Sequence, residues 1–154
     1  MKTKTGFSMI ELLIVLAIIA FLSALTIPSL MKFLARSKRS EALLTLRSLY
    51  LAEKAYHMEH GTYSSTLMGG GQNSVGWKPE GSLLYTYGFP GSEGVNCFVG
   101  ELKTPPGALQ GAQASDSGFV IAAAGDIDGD GVADVITIDQ QGKVTVVMDD
   151  LKDE

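Results

Sequence analysis

An apolar segment near the N-terminus constrains the fold of this chain more than any other feature. Residues 7–31 carry one charged side chain, Glu11, and residues 12–31 carry none. A run of this length makes a helix that can cross a bilayer. It exceeds the apolar core of about 7–15 residues in a secretory signal peptide, and no small-x-small cleavage site follows it. We therefore predict a membrane-spanning helix rather than a signal peptide.

Glu11 is the residue of this segment that points to a function. An ionised carboxylate is costly in hydrocarbon, so a Glu at membrane depth needs a partner. The short charged stretch before the segment contains Lys2 and Lys4 and ends at Gly6. Cleavage after Gly6 would create a free amine on Phe7, which lies within about one helical turn of Glu11.

The N-terminal sequence resembles that of a type IV pilin or pseudopilin with a class III-type leader. The resemblance rests on Lys2, Lys4, Gly6, Phe7, Ser8, Met9, Ile10, Glu11, Leu12 and Leu13, and runs on to Pro28. Ser8-Met9 stands where Thr-Leu is commoner. The resemblance implies that a prepilin peptidase removes the leader, residues 1–6, by cutting between Gly6 and Phe7, and then methylates the amine of Phe7. It also implies that Glu11 neutralises this amine during assembly, on a neighbouring subunit.

The same resemblance implies a fold, a function and a location. The fold would be α+β, with a long N-terminal helix packed on a small antiparallel β-sheet. The protein would be a structural subunit and not an enzyme, polymerising with itself through the N-terminal helix into a type IV pilus. Its partners would be the prepilin peptidase, the pilus assembly machinery and the bacterial inner membrane, with the head in the periplasm until the extracellular filament forms. Adhesion, twitching motility and DNA uptake are the implied roles.

A pseudopilin of a type II secretion system is the alternative. Such pseudopilins often carry a calcium site in the C-terminal region, and this chain has an acidic loop there. Residues 125–139, however, resemble pilins of the Myxococcus and Bdellovibrio kind. This second resemblance favours a pilus over a pseudopilus.

The apolar helix is predicted to continue as an amphipathic helix. Residues 32–60 repeat apolar side chains at spacings of three and four, and Gly61 follows as a stop signal. The apolar stripe consists of Leu43, Leu46, Leu49, Tyr50, Ala52 and Tyr56. Pro28 lacks an N–H and crowds the preceding turn. We therefore predict one helix over residues 7–60 that is kinked or locally broken near Pro28.

Residues 61–154 are predicted to form a globular β head. The Gly- and Ser-rich residues 61–81 and the stretch 104–117 are typical of loops. Strand patterns occur at residues 82–89, 95–102, 118–125, 134–139 and 143–148. Residues 136–138 and 144–146 should pair as a hairpin, with Gly142 at the positive-φ position of the turn.

Charge and cysteine content limit what the head can do. Residues 1–90 carry nine Lys or Arg against five acids, whereas residues 91–154 carry three against twelve. A head this acidic cannot neutralise phosphates, so we expect no direct nucleic-acid binding. Cys97 is the sole cysteine, which excludes an intrachain disulfide and favours a buried apolar role. Another interaction must therefore order the acidic end.

The acidic loop at residues 126–134 is a candidate calcium site. The pattern D-x-D-x-D-G-x-x-D supplies alternating carboxylates from Asp126, Asp128, Asp130 and Asp134. Gly131 permits a sharp turn, and the Val132 carbonyl falls where calcium loops supply a backbone ligand. Thr137 replaces the bidentate Glu of an EF-hand, so the pattern is closer to the hairpin loops of integrin-type repeats. A solvated acidic turn is the alternative, since Asp and Gly favour turns without a metal.

Other polar clusters give weaker signals. His57 and His60, with Glu53 one turn before His57, could place metal ligands on one helix face, but a solvated helix end is the more ordinary arrangement. The sequence shows no Ser/His/Asp set, phosphate-binding Gly loop or Cys/His cluster. We therefore predict no catalytic residue and no required cofactor, with Ca²⁺ as a possible ligand.

Overall fold

The fold combines one long helix with an antiparallel sheet. The computed structural model describes residues 6–71 and 73–151, apart from the side chain of Pro28. The elements are α1 (Met9–His60), β1 (Thr86–Gly88), β2 (Cys97–Phe98), a 3-10 helix (Pro106–Ala108), β3 (Gln113–Ser115), β4 (Gly118–Gly125), β5 (Asp134–Asp139) and β6 (Val144–Met148). The chain divides into two compact units, Met1–Leu34 and Ala35–Glu154. This architecture confirms the predicted α+β class.

The Met1–Leu34 unit contains the apolar start of α1. The helix begins at Met9 instead of Phe7 because Ser8 caps it. The Ser8 hydroxyl accepts from the Ile10 N–H, and the Glu11 carboxylate accepts from the Ser8 N–H at 3.0 Å. The two contacts form a variant of the capping box, in which Ser and Glu lie three residues apart but the Ser hydroxyl accepts from the second helical N–H instead of the third.

The helix is assigned without interruption from Met9 to His60. A local break at Pro28 therefore does not occur in the isolated chain. A kink at Pro28, or melting there when subunits assemble, stays a prediction.

The Ala35–Glu154 unit buries the amphipathic face of α1. Ala42, Leu46 and Leu49 have no exposed surface, and Tyr56 is buried as well. This confirms the predicted stripe. The helix ends at His60, and Gly61 follows at a φ of 75° with its N–H donating to the His57 carbonyl at 2.8 Å. Glycine adopts this left-handed conformation without the steric cost that a Cβ brings.

The sheet of the Ala35–Glu154 unit has the order β2-β1-β4-β5-β6, and β3 also pairs with β4. All its strand pairs are antiparallel. The predicted β5–β6 hairpin is confirmed, with Ile136 opposite Val146 and Ile138 opposite Val144. Gly142 takes the positive-φ position of its turn, at 80°.

The central strands are covered on both faces, because side chains alternate across a sheet. Ile121, Ile136 and Ile138 share one core cluster with Leu46 and Leu49 of α1. On the opposite face a second cluster contains Cys97, Leu109, Ala122, Ala124 and Val135. Cys97 has no exposed surface, which confirms its predicted burial.

Two strand predictions were too long, and one predicted loop contains a strand. The patterns at residues 82–89 and 95–102 contain only the short strands β1 and β2, and residues 113–115, predicted as loop, form β3. Gln113 and Ser115 are exposed, so β3 has no apolar alternation to reveal it. It exists because its backbone pairs with β4.

Candidate functional site

The predicted processing site lies at the start of the described chain. Gly6 and Phe7 are both exposed, and Phe7 has 78% of its surface accessible. Lys2 and Lys4 fall outside the described residues. Glu11 lies next to this site because the capping box holds its carboxylate on the N–H of Ser8, the residue after Phe7.

The Met1–Leu34 unit presents an extensive apolar surface. Its exposed large apolar side chains are Phe7, Met9, Ile10, Leu12, Leu13, Ile14, Val15, Leu16, Ile18, Ile19, Phe21, Leu22, Leu25, Ile27, Leu30, Met31, Phe33 and Leu34. Exposed apolar patches larger than a few hundred Å² mark membrane or protein contacts. The helix is long and apolar enough to cross a membrane. Lipid, protein or both must cover this surface.

The acidic loop brings together three of the four predicted aspartates. Asp126, Asp128 and Asp130 each offer a carboxylate oxygen, and these oxygens lie within 4.8 Å of one another and of an oxygen of Asp150. The loop is shaped by its own side chains. Asp126 accepts from the Gly129 and Gly131 N–H groups, and Asp130 accepts from the N–H of Val132.

Asp150 is the fourth carboxylate of this cluster, and sequence reasoning missed it. It accepts from the Ile127 N–H at 3.0 Å. Burial raises the pKa of Asp150, and repulsion from Asp128, Asp130 and Asp126 adds to the rise, against the Ile127 N–H that lowers it. The predicted β5–β6 hairpin could have revealed Asp150, because antiparallel pairing places the residues after β6 beside the start of β5.

The structure does not bring Asp134, the fourth predicted ligand, into this carboxylate cluster. Its side chain is fully buried and forms an ion pair with Arg39. The Arg39 Nε donates to Asp134 Oδ2 at 3.0 Å, and the Tyr85 hydroxyl donates to the same oxygen at 2.9 Å. Asp134 opens β5, where alternation turns its side chain away from the loop and into the core. The Val132 carbonyl as a ligand stays a prediction.

Arg39 links the C-terminal hairpin to α1. Its guanidinium also donates to Asp149, which follows β6. Burial alone would lower the pKa of Arg39, but the hydrogen bonds to Asp134 and Asp149 outweigh it and raise the pKa. Beside it, the Lys38 ammonium donates to the carbonyl of Ile127 in the acidic loop at 2.6 Å.

Two glutamates of α1 lie against the head, and sequence reasoning gave neither of them this role. Glu41 Oε1 accepts from the Leu84 N–H at 2.9 Å and from the Tyr87 hydroxyl at 3.0 Å. Glu53 has no exposed surface, and its Oε2 accepts from the Ser64 N–H at 3.3 Å. Burial raises the pKa of Glu53 to about 7, although the Ser64 N–H opposes the rise.

The two histidines serve packing. His57 stacks on Tyr63 with ring centroids 4.3 Å apart, and His60 stacks on Tyr56 at 4.2 Å. The carboxylate cluster of the acidic loop contains neither histidine. The structure therefore gives no support for a metal site at Glu53, His57 and His60.

Comparisons with known proteins agree with these features. Residues 1–27 match the family model of the prokaryotic N-terminal methylation motif. The chain is 45% identical over 82 residues to the type IV major pilin protein PilA of Myxococcus xanthus, covering 53% of this chain and 35% of that protein.

Two further relatives are also pilus proteins. The type IV major pilin protein PilE of Neisseria gonorrhoeae is 38% identical over 60 residues, which cover 39% of this chain and 36% of PilE. The type IV wide pilus major component PilA4 of Thermus thermophilus is 37% identical over 67 residues, covering 42% of this chain and 50% of PilA4. The matched part of the chain spans between about a third and a half of these relatives. The chain therefore carries the N-terminal methylation motif and is similar to type IV pilus proteins over 60 to 82 residues, and its α+β fold agrees with this similarity.

Proposed function

We propose that the protein is a structural subunit that polymerises through its N-terminal helix into a type IV pilus. The observation that carries the proposal is the exposed apolar surface of the Met1–Leu34 unit, interrupted by the single carboxylate of Glu11. In a membrane, lipid covers this surface. In an extracellular filament the same surface has to be covered by neighbouring subunits.

Glu11 would select and align the incoming subunit. Removal of the leader between Gly6 and Phe7 leaves an amine on Phe7, which a prepilin peptidase would methylate. Burying either charge alone costs several kcal/mol, so pairing the amine with a carboxylate of a neighbour favours one register over others. The capping box supports this role, because it already holds the carboxylate at the end of the helix where the amine forms.

The pilus is favoured over the two other functions considered. The relatives reported above are named as pilus or pilin proteins, which supports a pilus over a pseudopilus. Their names also describe structural subunits, which supports a structural role over catalysis. The proposed route runs from the inner membrane, with the head in the periplasm, to the extracellular filament, and its partners are the prepilin peptidase, the assembly machinery and further copies of the chain.

We also propose that the acidic loop binds calcium. Oxygen ligands on alternate residues suit this hard cation. Four carboxylates within 4.8 Å repel one another, so a cation between them would stabilise the loop. The ligands would be Asp126, Asp128, Asp130 and Asp150, with the Val132 carbonyl as a fifth.

The substitution Glu11→Gln tests the assembly proposal. Gln also satisfies a capping box, so this variant keeps the helix start and removes only the charge. We expect filaments sheared from cells to fall at least tenfold at equal membrane levels of the subunit. Glu59→Gln, an exposed glutamate of the same helix, is the control and should leave the yield unchanged.

Mass spectrometry of the same filaments checks the processing. The first residue should be Phe7 with a methylated amine. Normal filament yield from Glu11→Gln would overturn the role of the charge, and assembled subunits that still begin at Met1 would overturn the proposed cleavage.

A further inference from the structure

We propose that Glu53 is a pH-sensitive latch between α1 and residues 61–68, the segment that follows the helix. The protonated carboxyl group holds the segment against the helix, and ionisation releases it. This inference concerns the Ala35–Glu154 unit alone and does not rest on pilus assembly.

The position of Glu53 is unusual for a carboxylate. The residue has no exposed surface, and its Oε1 is buried with no hydrogen-bond partner among the residues that the structure describes. Its other carboxylate oxygen, Oε2, accepts from the Ser64 N–H at 3.3 Å. A buried charge is tolerated when it is paired and fully hydrogen-bonded, and Glu53 is neither.

Ser64 connects Glu53 to the rest of residues 61–68 through further hydrogen bonds. Its hydroxyl donates to the Asn73 carbonyl at 2.6 Å and accepts from the Thr66 N–H at 3.1 Å. Further along, the Leu67 N–H donates to the Val95 carbonyl, and the Trp77 N–H donates to the Leu67 carbonyl. Loss of the hydrogen bond to Glu53 therefore releases the part of the segment around Ser64, which organises these other hydrogen bonds.

The charged and titratable groups around this segment are engaged elsewhere. On α1, Lys54 donates to the Tyr63 hydroxyl at 3.2 Å, and His57 stacks on the Tyr63 ring. From the turn between β3 and β4, Asp116 accepts from the Thr62 hydroxyl at 2.9 Å. None of these groups forms an ion pair with Glu53 in the described part of the chain.

The segment also packs on an apolar ring of β4. The Phe119 ring meets Tyr63 edge-on, with centroids 4.9 Å apart. For Glu53 itself, burial is the largest cause of its raised pKa, at about 7 against an ordinary 4.5.

The direction of the pH effect follows from linkage. An opened segment exposes Glu53 to water and lets it ionise at its ordinary pKa, so opening releases a proton between pH 4.5 and 7. The opening equilibrium therefore rises with pH in that window and levels off above pH 7. With these two pKa values, opening increases roughly tenfold between pH 6 and pH 8.

Hydrogen exchange of the full chain in detergent micelles tests the latch. Protection factors of the Ser64 and Thr66 amides, corrected for intrinsic exchange, should fall roughly tenfold from pH 6 to pH 8. Glu53→Gln keeps the acceptor and cannot ionise, so its protection factors should change less than twofold. Glu59→Gln should behave as the unmodified chain does.

A direct titration keeps the test decisive if Glu53→Gln folds poorly. The side-chain carboxyl ¹³C signal of Glu53 in the unmodified chain should titrate near pH 7. A midpoint below pH 5.5, or protection factors that fall equally in Glu53→Gln, would overturn the proposal.

Discussion

The buried ion pair between Arg39 and Asp134 gives the most quantitative prediction about the head. Asp134 is fully buried and receives hydrogen bonds from Arg39, from the Tyr85 hydroxyl and from the Asp150 N–H. Replacing Arg39 by Met keeps most of the aliphatic stem and removes the guanidinium. Asp134 then stays buried with two neutral donors and no counter-charge.

The expected loss of stability follows from the burial of Asp134. Removing one partner of a buried pair typically costs about 3–5 kcal/mol. The Tyr85 hydroxyl and the Asp150 N–H still donate to Asp134 in the variant, so we expect Arg39→Met to lower the unfolding free energy by about 3–4 kcal/mol. For a head of this size, that corresponds to roughly 10–15 °C in the melting midpoint.

Trp77 makes the measurement direct, because it is the single tryptophan and is 8% exposed inside the head. Its fluorescence can follow denaturant unfolding of the full chain in micelles. Arg47→Met, which removes an exposed arginine of the same helix, is the matched control and should change stability by less than about 0.5 kcal/mol.

A second variant separates lost charge pairing from lost packing. Adding Asp134→Asn to Arg39→Met removes the stranded charge, so the double variant should be more stable than Arg39→Met alone. A loss of less than about 1 kcal/mol for Arg39→Met would refute the reasoning.

Two further predictions concern the loop and the sheet. Calcium at a hundredfold excess over Kd should stabilise the head by about 2.7 kcal/mol relative to chelator at equal ionic strength. Asp128→Asn should remove most of that gain. Equal melting midpoints in calcium and in chelator, or an equal effect of magnesium, would show that the loop is only an acidic turn. Gly88→Ala should destabilise the head by about 2 kcal/mol or more, because Gly88 has a φ of 123°. A Cβ there would also lie against the Asn96 carbonyl, 2.8 Å from Leu67 Cδ1 and 3.0 Å from Cys97 Cα. Gly70→Ala, where a Cβ meets nothing within 4 Å, should be close to neutral in the same unfolding assay.

Much of the helix and the hairpin was predictable because local rules determine them. The apolar stripe and Gly61 fixed the buried face and the end of α1, and the Gly142 turn fixed the register of β5 and β6. The apolar pattern alone places the start of α1 at Phe7, two residues too early, because it does not include the hydrogen bonds of Ser8 and Glu11. Their spacing is also that of a capping box, which sets the first helical residue at Met9.

The candidate sites were harder to predict because they combine distant segments. The acidic pattern was recognised, but whether Asp134 faces the loop or the core depends on its place at the start of β5. Asp150 joins the cluster only through the hairpin. Glu53 lies four residues after Leu49 and three before Tyr56, on the buried stripe itself, so its burial could have been read from the periodicity.

The acidic C-terminal end is ordered without a disulfide. Cys97 lies in the core and has no cysteine partner, so covalent closure is excluded. Two neighbouring cationic side chains of α1 hold this end in place instead. Arg39 joins the start of β5 to the residues after β6 through Asp134 and Asp149, and Lys38 holds the acidic loop through the Ile127 carbonyl. Ion pairs and hydrogen bonds of this kind respond to pH, and those near solvent respond to salt, whereas a disulfide responds to neither. The stability of the Ala35–Glu154 unit should therefore depend on these ion pairs and be indifferent to reducing agents.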